Sequence, residues 1–483
     1  MKTFMKALGV LFIIPLTLAA QSDEDALRYS MQTFGGTARY MGLGGAFAAL
    51  GADFSSLSSN PAGIGLYRTS ELSFTPALTG ISTTTDFLGN SSKRDVLPFN
   101  ISSAGLVIAG DATRKNPDNK WKRINFAFGL NRLNDYHSET YFSGYNTENS
   151  LSDYYVEEAN QNGGVAPSNI TAAYPFGAGL FYQTYAIDPA GSDTFFYTSR
   201  FQDGDVQQTG FTDEEGSQTE YVISFGSNYD DRLLLGVTMG LPSIHYRSTL
   251  NFTDSDLENV HDDIDRYNYY SYVNTNGVGI NGKFGLTYII NDWVRAGAAI
   301  HTPTLYSMHD DYNSSVSSTI SPSVSYQYSS PFGAYDYDLV TPWRLVAGVA
   351  GFINNFGFIT FDYELVDYSA MKYKFNRFST AEELFTESQL NQDIKLKYRA
   401  ASNFRGGVEF ALQSLRLRGG IAYYESPFQS GMADKDSDFS RWSYTGGLGF
   451  RGEHLYFDAA YVRTTSNQYY QAYSLEDETV PGA

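Results

Sequence analysis

Five times along this chain, two stretches of alternating residues meet at a turn of two to four residues, and a longer polar loop follows each pair. The turns are Asn228-Tyr229-Asp230-Asp231, Asn291-Asp292, Ile353-Asn354-Asn355, Gln413-Ser414 and Gly452-Glu453. Short turns at one end and long loops at the other are the signature of an antiparallel barrel in an outer membrane, small turns inside and large loops outside. The pattern predicts an all-β membrane protein.

The alternation holds strand by strand. Ile124, Phe126, Phe128 and Leu130 oppose Arg123, Asn125, Ala127, Gly129 and Asn131. Leu233, Leu235, Val237, Met239 and Leu241 oppose Gly236, Thr238 and Gly240, and Phe404, Val408, Phe410 and Leu412 oppose Arg405, Gly407 and Glu409. A period of two sends alternate residues to opposite faces. Because the second face is small or charged, it belongs to a solvated lumen, and the apolar face to lipid. A soluble β protein would pack its apolar face inward, on strands usually shorter than the roughly 9–11 residues that cross a bilayer.

Aromatic residues make up 16% of the chain, with 38 Tyr and 34 Phe, enough for the girdles at both membrane interfaces. Tyr288, Trp293, Tyr306, Trp343, Trp442 and Tyr461 fall near strand ends, where girdles lie. The formal charge of -20 argues against nucleic-acid partners, and the absence of cysteine excludes disulfides, iron–sulfur clusters and thiol catalysis. Lys2, Lys6 and the apolar run Ala7 to Leu18 read as a signal peptide over 1–20, cut before Gln21. Beyond it no apolar run reaches the length of a transmembrane helix. Export and a barrel together predict the outer membrane of a Gram-negative bacterium.

Residues 21–70 differ from the rest. Gly35 to Leu50 is rich in small residues, and Ser58-Ser59-Asn60-Pro61-Ala62-Gly63 follows. A dinucleotide loop is a poor reading, because Phe47 stands in the last glycine's place and no strand precedes it. Small residues allow close packing, so 21–70 is expected to plug the lumen of a barrel formed by 71–483.

Gly36-Thr37-Ala38-Arg39, Met41 to Phe47 and Asn60-Pro61-Ala62-Gly63 resemble the N-terminal hatch of the FadL/TodX family, outer-membrane channels for long-chain fatty acids and aromatic hydrocarbons. Gly297 to Thr304 is similar to that family's mid-barrel strand. The resemblance implies a 14-stranded barrel with an N-terminal plug. It implies that the element matched by Asn60, Pro61 and Ala62 lies near a kinked third strand, beside an opening through which ligand leaves into the bilayer. Here that strand would be Trp121 to Asn131, with Gly129 as the candidate bend.

Thirteen strands can be counted: 71–80, 100–110, 121–132, 219–228, 232–250, 268–290, 293–308, 323–330 continued by 340–351, 356–374, 394–412, 415–425, 441–451 and 454–464. Pro331 and Gly333 make the eighth ambiguous. The acidic end, Ser474 to Ala483, lacks the family's closing strand, and truncation is the favoured explanation. The longest loop, 133–218, is rich in Tyr and Phe. It is expected to form either an apolar capture groove or a lid packed on itself.

Signals for catalysis and metal are weak. Asp434, Asp436 and Asp438 have calcium-loop spacing, but Phe439 replaces the required Gly and Thr445 the bidentate Glu. His261 and His309, each beside two Asp, read as solvated loop charges. By parity His301, Arg295, Arg344, Arg405, Arg416, Arg418 and Arg451 face the lumen, with Asp362, Glu364, Glu409 and Asp458. Mutual pairing and contact with the hatch explain such charges most simply, although one Arg could hold a ligand carboxylate. No cofactor and no enzymatic activity are expected. The predicted function is passive uptake of small hydrophobic compounds such as long-chain fatty acids. Binding would be in an apolar pocket and release gated by hatch residues Asn60, Pro61, Ala62 and Gly63 with Gly129. The surroundings would be outer-membrane lipid and lipopolysaccharide. Alternatives are an anchor or interaction subunit of a secretion assembly, with a protein partner, and a haem-binding receptor, whose axial ligands the sequence does not specify.

Overall fold

The computed structural model describes residues 21–114, 116–191, 195–202, 204–320, 324–375, 379–429, 438–468 and 472–475. The expected signal peptide, and Asp434 and Asp436 of the calcium-like run, lie outside these residues. Antiparallel pairing runs in chain order through Glu71–Leu78, Phe99–Asp111, Trp121–Asp135, Val206–Tyr229, Leu233–Ser255 and Arg266–Asn291. A broken seventh span follows, Val294–His301 with Leu305–Ile320, and a broken eighth, Gly333–Val340 with Arg344–Ile353. The ninth is Gly357–Asp367, prolonged by Lys372–Lys374, and the last four are Ala400–Leu412, Leu415–Tyr424, Arg441–Arg451 and Tyr456–Ser466. The first and thirteenth spans come together where the Tyr456 hydroxyl donates to the Glu71 carboxylate at 3.1 Å.

Orientation follows the alternation. Phe126 and Phe128 are exposed on the outer face while Asn125, Ala127 and Asn131 are fully buried toward the lumen. Val237, Met239 and Leu241 are exposed and Thr238 is buried. Such a girdled apolar exterior around a polar interior is stable only in lipid. Trp293, Trp343, Trp442, Tyr288 and Tyr461 join that exterior.

Tyr306 does not. It is 2% exposed inside the barrel, where the Gln218 side-chain amide donates to its hydroxyl at 2.6 Å. The cause is Pro303. Between the pairs Lys283↔His301 and Ile280↔Leu305, the seventh span spends one residue more than its neighbour. One extra residue inverts the facing of everything beyond it. Pro342 interrupts the next span, where Thr304 and Thr341 hydrogen-bond across the break at 2.9 and 3.0 Å.

Above these prolines the wall continues far past the bilayer. Strands Val206–Tyr229, Leu233–Ser255 and Arg266–Asn291 have 24, 23 and 26 residues. At about 3.3 Å per residue each runs roughly 75–85 Å, against a hydrocarbon core of about 30 Å. The loop expected over 133–218 is therefore partly wall: Ser138–Asn146 is a strand, and the fourth span begins at Val206, not at 219. Alternation hid this because both faces of the extension are covered. The tenth span likewise begins at Ala400, because Ala381–Lys397 is a helix whose Thr380 cap and Glu383 form a capping box. Pro331 and Gly333 do divide 323–351: Val324–Ser329 turns back on the seventh span before the eighth begins.

Helices Leu151–Asn160, Ile170–Ala173 and Ala178–Gln183 form a lid on this outer wall. Phe142, Tyr155, Phe181 and Tyr197 are buried in its core, so most of the loop's aromatics pack on one another. Tyr473 also enters this core, its hydroxyl donating to Asn149 at 2.6 Å.

Candidate functional site: the hatch and the lumen

Residues 21–70 lie inside the barrel and touch its wall at several heights. Helix α1, Asp23–Ser30, starts from a capping box between Ser22 and Asp25, and α2, Ala38–Gly42, is capped by Thr37. Two short 3-10 turns follow, Phe54–Ser58 capped by Asp53 and Pro61–Leu66 capped by Asn60. Pro61 at the first position costs no hydrogen bond and arrives with a helical φ. Gly51, at φ +69, lies so close to Gly63 that a Cβ would stand 2.6 Å from its Cα. Burial pushes the Asp53 carboxyl up in pKa, against the opposing pull of Arg39 and the Thr37 hydroxyl, which donates at 2.7 Å.

Asn60 ties the hatch to the wall. Its amide nitrogen donates to the Leu286 carbonyl at 3.2 Å, to the Thr287 hydroxyl at 3.1 Å and to the Ala48 carbonyl, while its oxygen accepts from Ala62 N–H at 3.1 Å. Asn60 and Pro61 sit on Gly236 and Gly285, a cross-strand pair at which any side chain would collide with them. The element therefore seats on the fifth and sixth spans, not on the third. The residues after Gly63 do reach the third span, where Asn125 donates to the Ile64 and Tyr67 carbonyls at 2.7 and 2.9 Å. Gly129, the expected bend, has φ +158, a backbone conformation that L side chains rarely adopt. Paired with Gly105 on one side and Val222 on the other, it clears space for the Phe54 ring. The third span slips register against the fourth on either side of Gly129, between Trp121 and Arg123 and between Arg132 and Asn134.

The lumenal charges pair among themselves and with the hatch. Glu364 accepts from Arg344 at 3.1 Å, Arg405 at 2.8 Å and Asn403 at 2.9 Å, and Arg344 also donates to the Ser30 carbonyl at the end of α1. Asp362 accepts from Ala48 N–H at 2.8 Å. Arg418 bridges Glu409 and Asp458 at 2.6 Å each, Arg451 joins Asp458 at 2.9 Å, and Arg416 and Arg39 stand 3.8 Å from Glu409. His301 is buried, with Nε2 2.7 Å from the Ser59 carbonyl and Nδ1 without a hydrogen-bond partner among the described residues. Arg295 alone of the six arginines lacks a carboxylate partner among the described residues; it lies over the Phe352 ring at 4.3 Å. His261 is a loop residue, with a ring nitrogen 2.9 Å from the Gly204 carbonyl, but His309 is not: it stands on the strand Leu305–Ile320, where its ring contacts Asp336 at 2.6 Å.

Two features escaped the sequence reading. The first is a fully buried ion pair between Lys283 and Glu220, supported by Ser58 at 2.9 Å and Asn281 at 3.2 Å. Parity was enough to find Lys283, which alternates with the outward Phe284 and Leu286. The second is the chamber around α1 in the outer half of the lumen. Leu27 and Tyr29 are buried there among Tyr136, Tyr246, Tyr306 and Tyr373, with Met308 and Leu339. Tyr29, Tyr136 and Tyr246 contact one another edge-on at 5.8–6.1 Å. Polar tips hold the helix start: Tyr373 donates to the Ser22 carbonyl at 2.7 Å, and Tyr398 and Lys397 to Asp23 at 2.8 Å each.

A transmembrane β-barrel with an internal N-terminal hatch is thus the class defined by fold and site, and it resides in the outer membrane. No protein-family model matches the sequence, and no curated protein matches it. Among solved structures the chain is similar to a Pseudomonas aeruginosa FadL homologue, at 11% identity and a TM-score of 0.51, covering 91% of each chain. It also aligns with the Pseudomonas putida toluene transporter TodX, at 14% identity over 88% of this chain and 90% of that one, TM-score 0.47. With the Ralstonia pickettii toluene transporter TbuX the figures are 16%, 89% and 93%, and 0.44. The fold of this chain is FadL/TodX-like.

Proposed function

We propose that this protein takes up small hydrophobic compounds, such as long-chain fatty acids, passively across the outer membrane, with release gated by the hatch. The observation that carries this reading is the chamber around α1, tyrosine-lined and filled by the hatch's own Leu27 and Tyr29. A ligand that takes over the contacts made by Leu27 and Tyr29 gains about 25 cal/mol per Å² of apolar surface buried. Phenol hydroxyls at the chamber's edge orient whatever polar end it carries. Onward passage requires the hatch to give way, and the bonds that resist are those of Asn60, Ser59 and Ala48 to the wall. With five lumenal arginines engaged by acids, Arg295 is the one left to meet a carboxylate.

The test is uptake of radiolabelled oleate and its methyl ester by cells producing the chain or its Arg295→Gln variant. Uptake above that of cells lacking the chain supports the reading. Selective loss of oleate transport in the variant supports the role of Arg295. A chain that transports neither compound, yet co-purifies with a protein partner at fixed stoichiometry, would return the role to that of an anchor.

A further inference from the structure

The lid carries a cleft on its outer side. It has a volume of about 510 Å³ and is lined by Tyr182, Tyr185, Tyr328, Gln183, Ser168 and Thr171, with Pro167 at its edge. Among the described residues no charged side chain lines it. We propose that this cleft binds a neutral saccharide at the cell surface.

Three observations lead to that class of ligand. First, the cleft lies in water, not lipid. Tyr328 stands on Val324–Ser329, which pairs with the far end of the 16-residue strand Leu305–Ile320, roughly 50 Å along the wall from Pro303. An aromatic girdle has no use at that height, yet Tyr185, Tyr326 and Tyr328 remain exposed. Second, the rings form a shelf. Tyr326 and Tyr328, two residues apart, share one face of their strand, and Tyr185 lies against Tyr326 at 4.6 Å between ring centroids. Aromatic faces accept the C–H side of a pyranose ring, while their hydroxyls and the adjoining amide and alcohol groups suit sugar hydroxyls. The hydroxyls of Tyr182, Tyr185, Tyr326 and Tyr328 have no hydrogen-bond partner among the described residues, so they are available. Gln183 is already positioned by its bond to Thr171 at 2.8 Å.

Third, the shelf is preorganised. Thr184, between Gln183 and Tyr185, is fully buried; its hydroxyl donates to the Leu180 carbonyl at 2.9 Å, and its carbonyl accepts from Ser318 on the wall. The Ala186 N–H closes the helix end on Phe181 at 2.9 Å. Side chains on either side of so fixed a residue lose little entropy on binding. The absence of lining charge favours neutral sugars over the phosphorylated inner core of lipopolysaccharide.

Calorimetric titration of the full chain in detergent with maltohexaose, laminarihexaose and mannohexaose tests glycans from the medium. Delipidated O-polysaccharide from the producing strain tests the cell's own surface. Binding in the micromolar to millimolar range to at least one probe is expected, with a loss of about tenfold in Tyr185→Ala and in Tyr328→Ala. Tyr328→Phe, which keeps the ring, should retain most of the affinity. If Tyr328→Ala disturbs the near-ultraviolet circular dichroism of the lid, the exposed Gln183→Ala replaces it with the same expectation. No binding to any probe, or equal binding by the wild type and the alanine variants, overturns the proposal.

Discussion

The two halves of the lumen are filled by the same N-terminal segment in opposite ways. Below the proline belt, the hatch presses onto glycines of the wall: Asn60 and Pro61 lie on Gly236 and Gly285, the Phe54 ring on Gly105 and Gly129, and Leu43 and Gly44 on Gly407 and Gly420. Charges and hydrogen bonds define that seat. Above the belt, α1 is held mainly by tyrosine rings, with polar contacts at its ends and one ion pair to the wall, Arg28 with Glu214 at 3.6 Å. Directional bonds specify one position and are lost together, whereas apolar contact is non-directional and tolerates a substitute of similar size. The lower seat is thus built as a closure and the upper chamber as a place where one apolar occupant can replace another.

The largest expected effect tests the lower seat. Glu364→Ala strands Arg344 and Arg405 as buried charges and should cost about 3–5 kcal/mol, seen as loss of the heat-modifiable folded band on cold gels. If Glu364→Ala proves as stable as wild type, the seat is not held by its charges. Leu27→Ala tests the upper chamber at about 2–5 kcal/mol of local packing. Proteolysis should then reach α1 while the hatch from Arg39 to Gly63 stays protected; simultaneous exposure of both would show that the halves move as one.

Asn60→Ala combined with Pro61→Gly removes two hydrogen bonds donated to the wall, at about 1 kcal/mol each, and one within the hatch. It should shift the balance toward a released hatch by on the order of tenfold or more, raising uptake with the barrel still assembled. Unchanged uptake would reduce the motif to a turn.

Smaller still is a pH effect in the lid. Burial pushes the Glu158 carboxyl up to about 7, although Ala178 N–H donates to it at 2.7 Å. The folded lid holds this proton more tightly than the unfolded chain does. The resulting stabilisation is complete below the ordinary Glu range and fades as pH rises through about 7. Amide exchange in Leu151–Asn160, corrected for intrinsic rate, should be slower at pH 5 than at pH 8, and Glu158→Gln should abolish the difference. Persistence of the difference in that variant would point to another group. Topology should be readable without disturbing either half. A tag at Gly163, which has open space around it, should label on intact cells and one at Asn291 should not. The reverse labelling would invert the barrel.

Much of this was legible in the primary sequence. Strict alternation placed Arg344, Arg405 and Arg418 inside, and Asn60-Pro61-Ala62 marked the hatch before any coordinates. Pairing partners were less accessible. Glu364 meets Arg344 and Arg405 because Val346↔Glu364 and Asp362↔Arg405 set the register of three spans. Tyr306 was misplaced because parity carries across a strand only until a bulge, and nothing in Thr302-Pro303-Thr304 says which way the extra residue is absorbed. Helix Ala381–Lys397 was readable from Thr380 and Glu383, but its first residues were left within a loop and its last assigned to a strand.

What the sequence by itself determined is the class: period-two patterning and unequal loops admit a lipid-facing barrel, since each strand's facing is a local property of the pleat. What only the tertiary structure decided is the content of the barrel. Tyr29, Tyr246 and Tyr373 are scattered over more than three hundred residues and become one chamber only when the wall closes around α1. The glycines beneath Asn60 look like any other small residues until their strands are in register. Burial by distant partners depends on closure of the whole ring, and no window of sequence contains it.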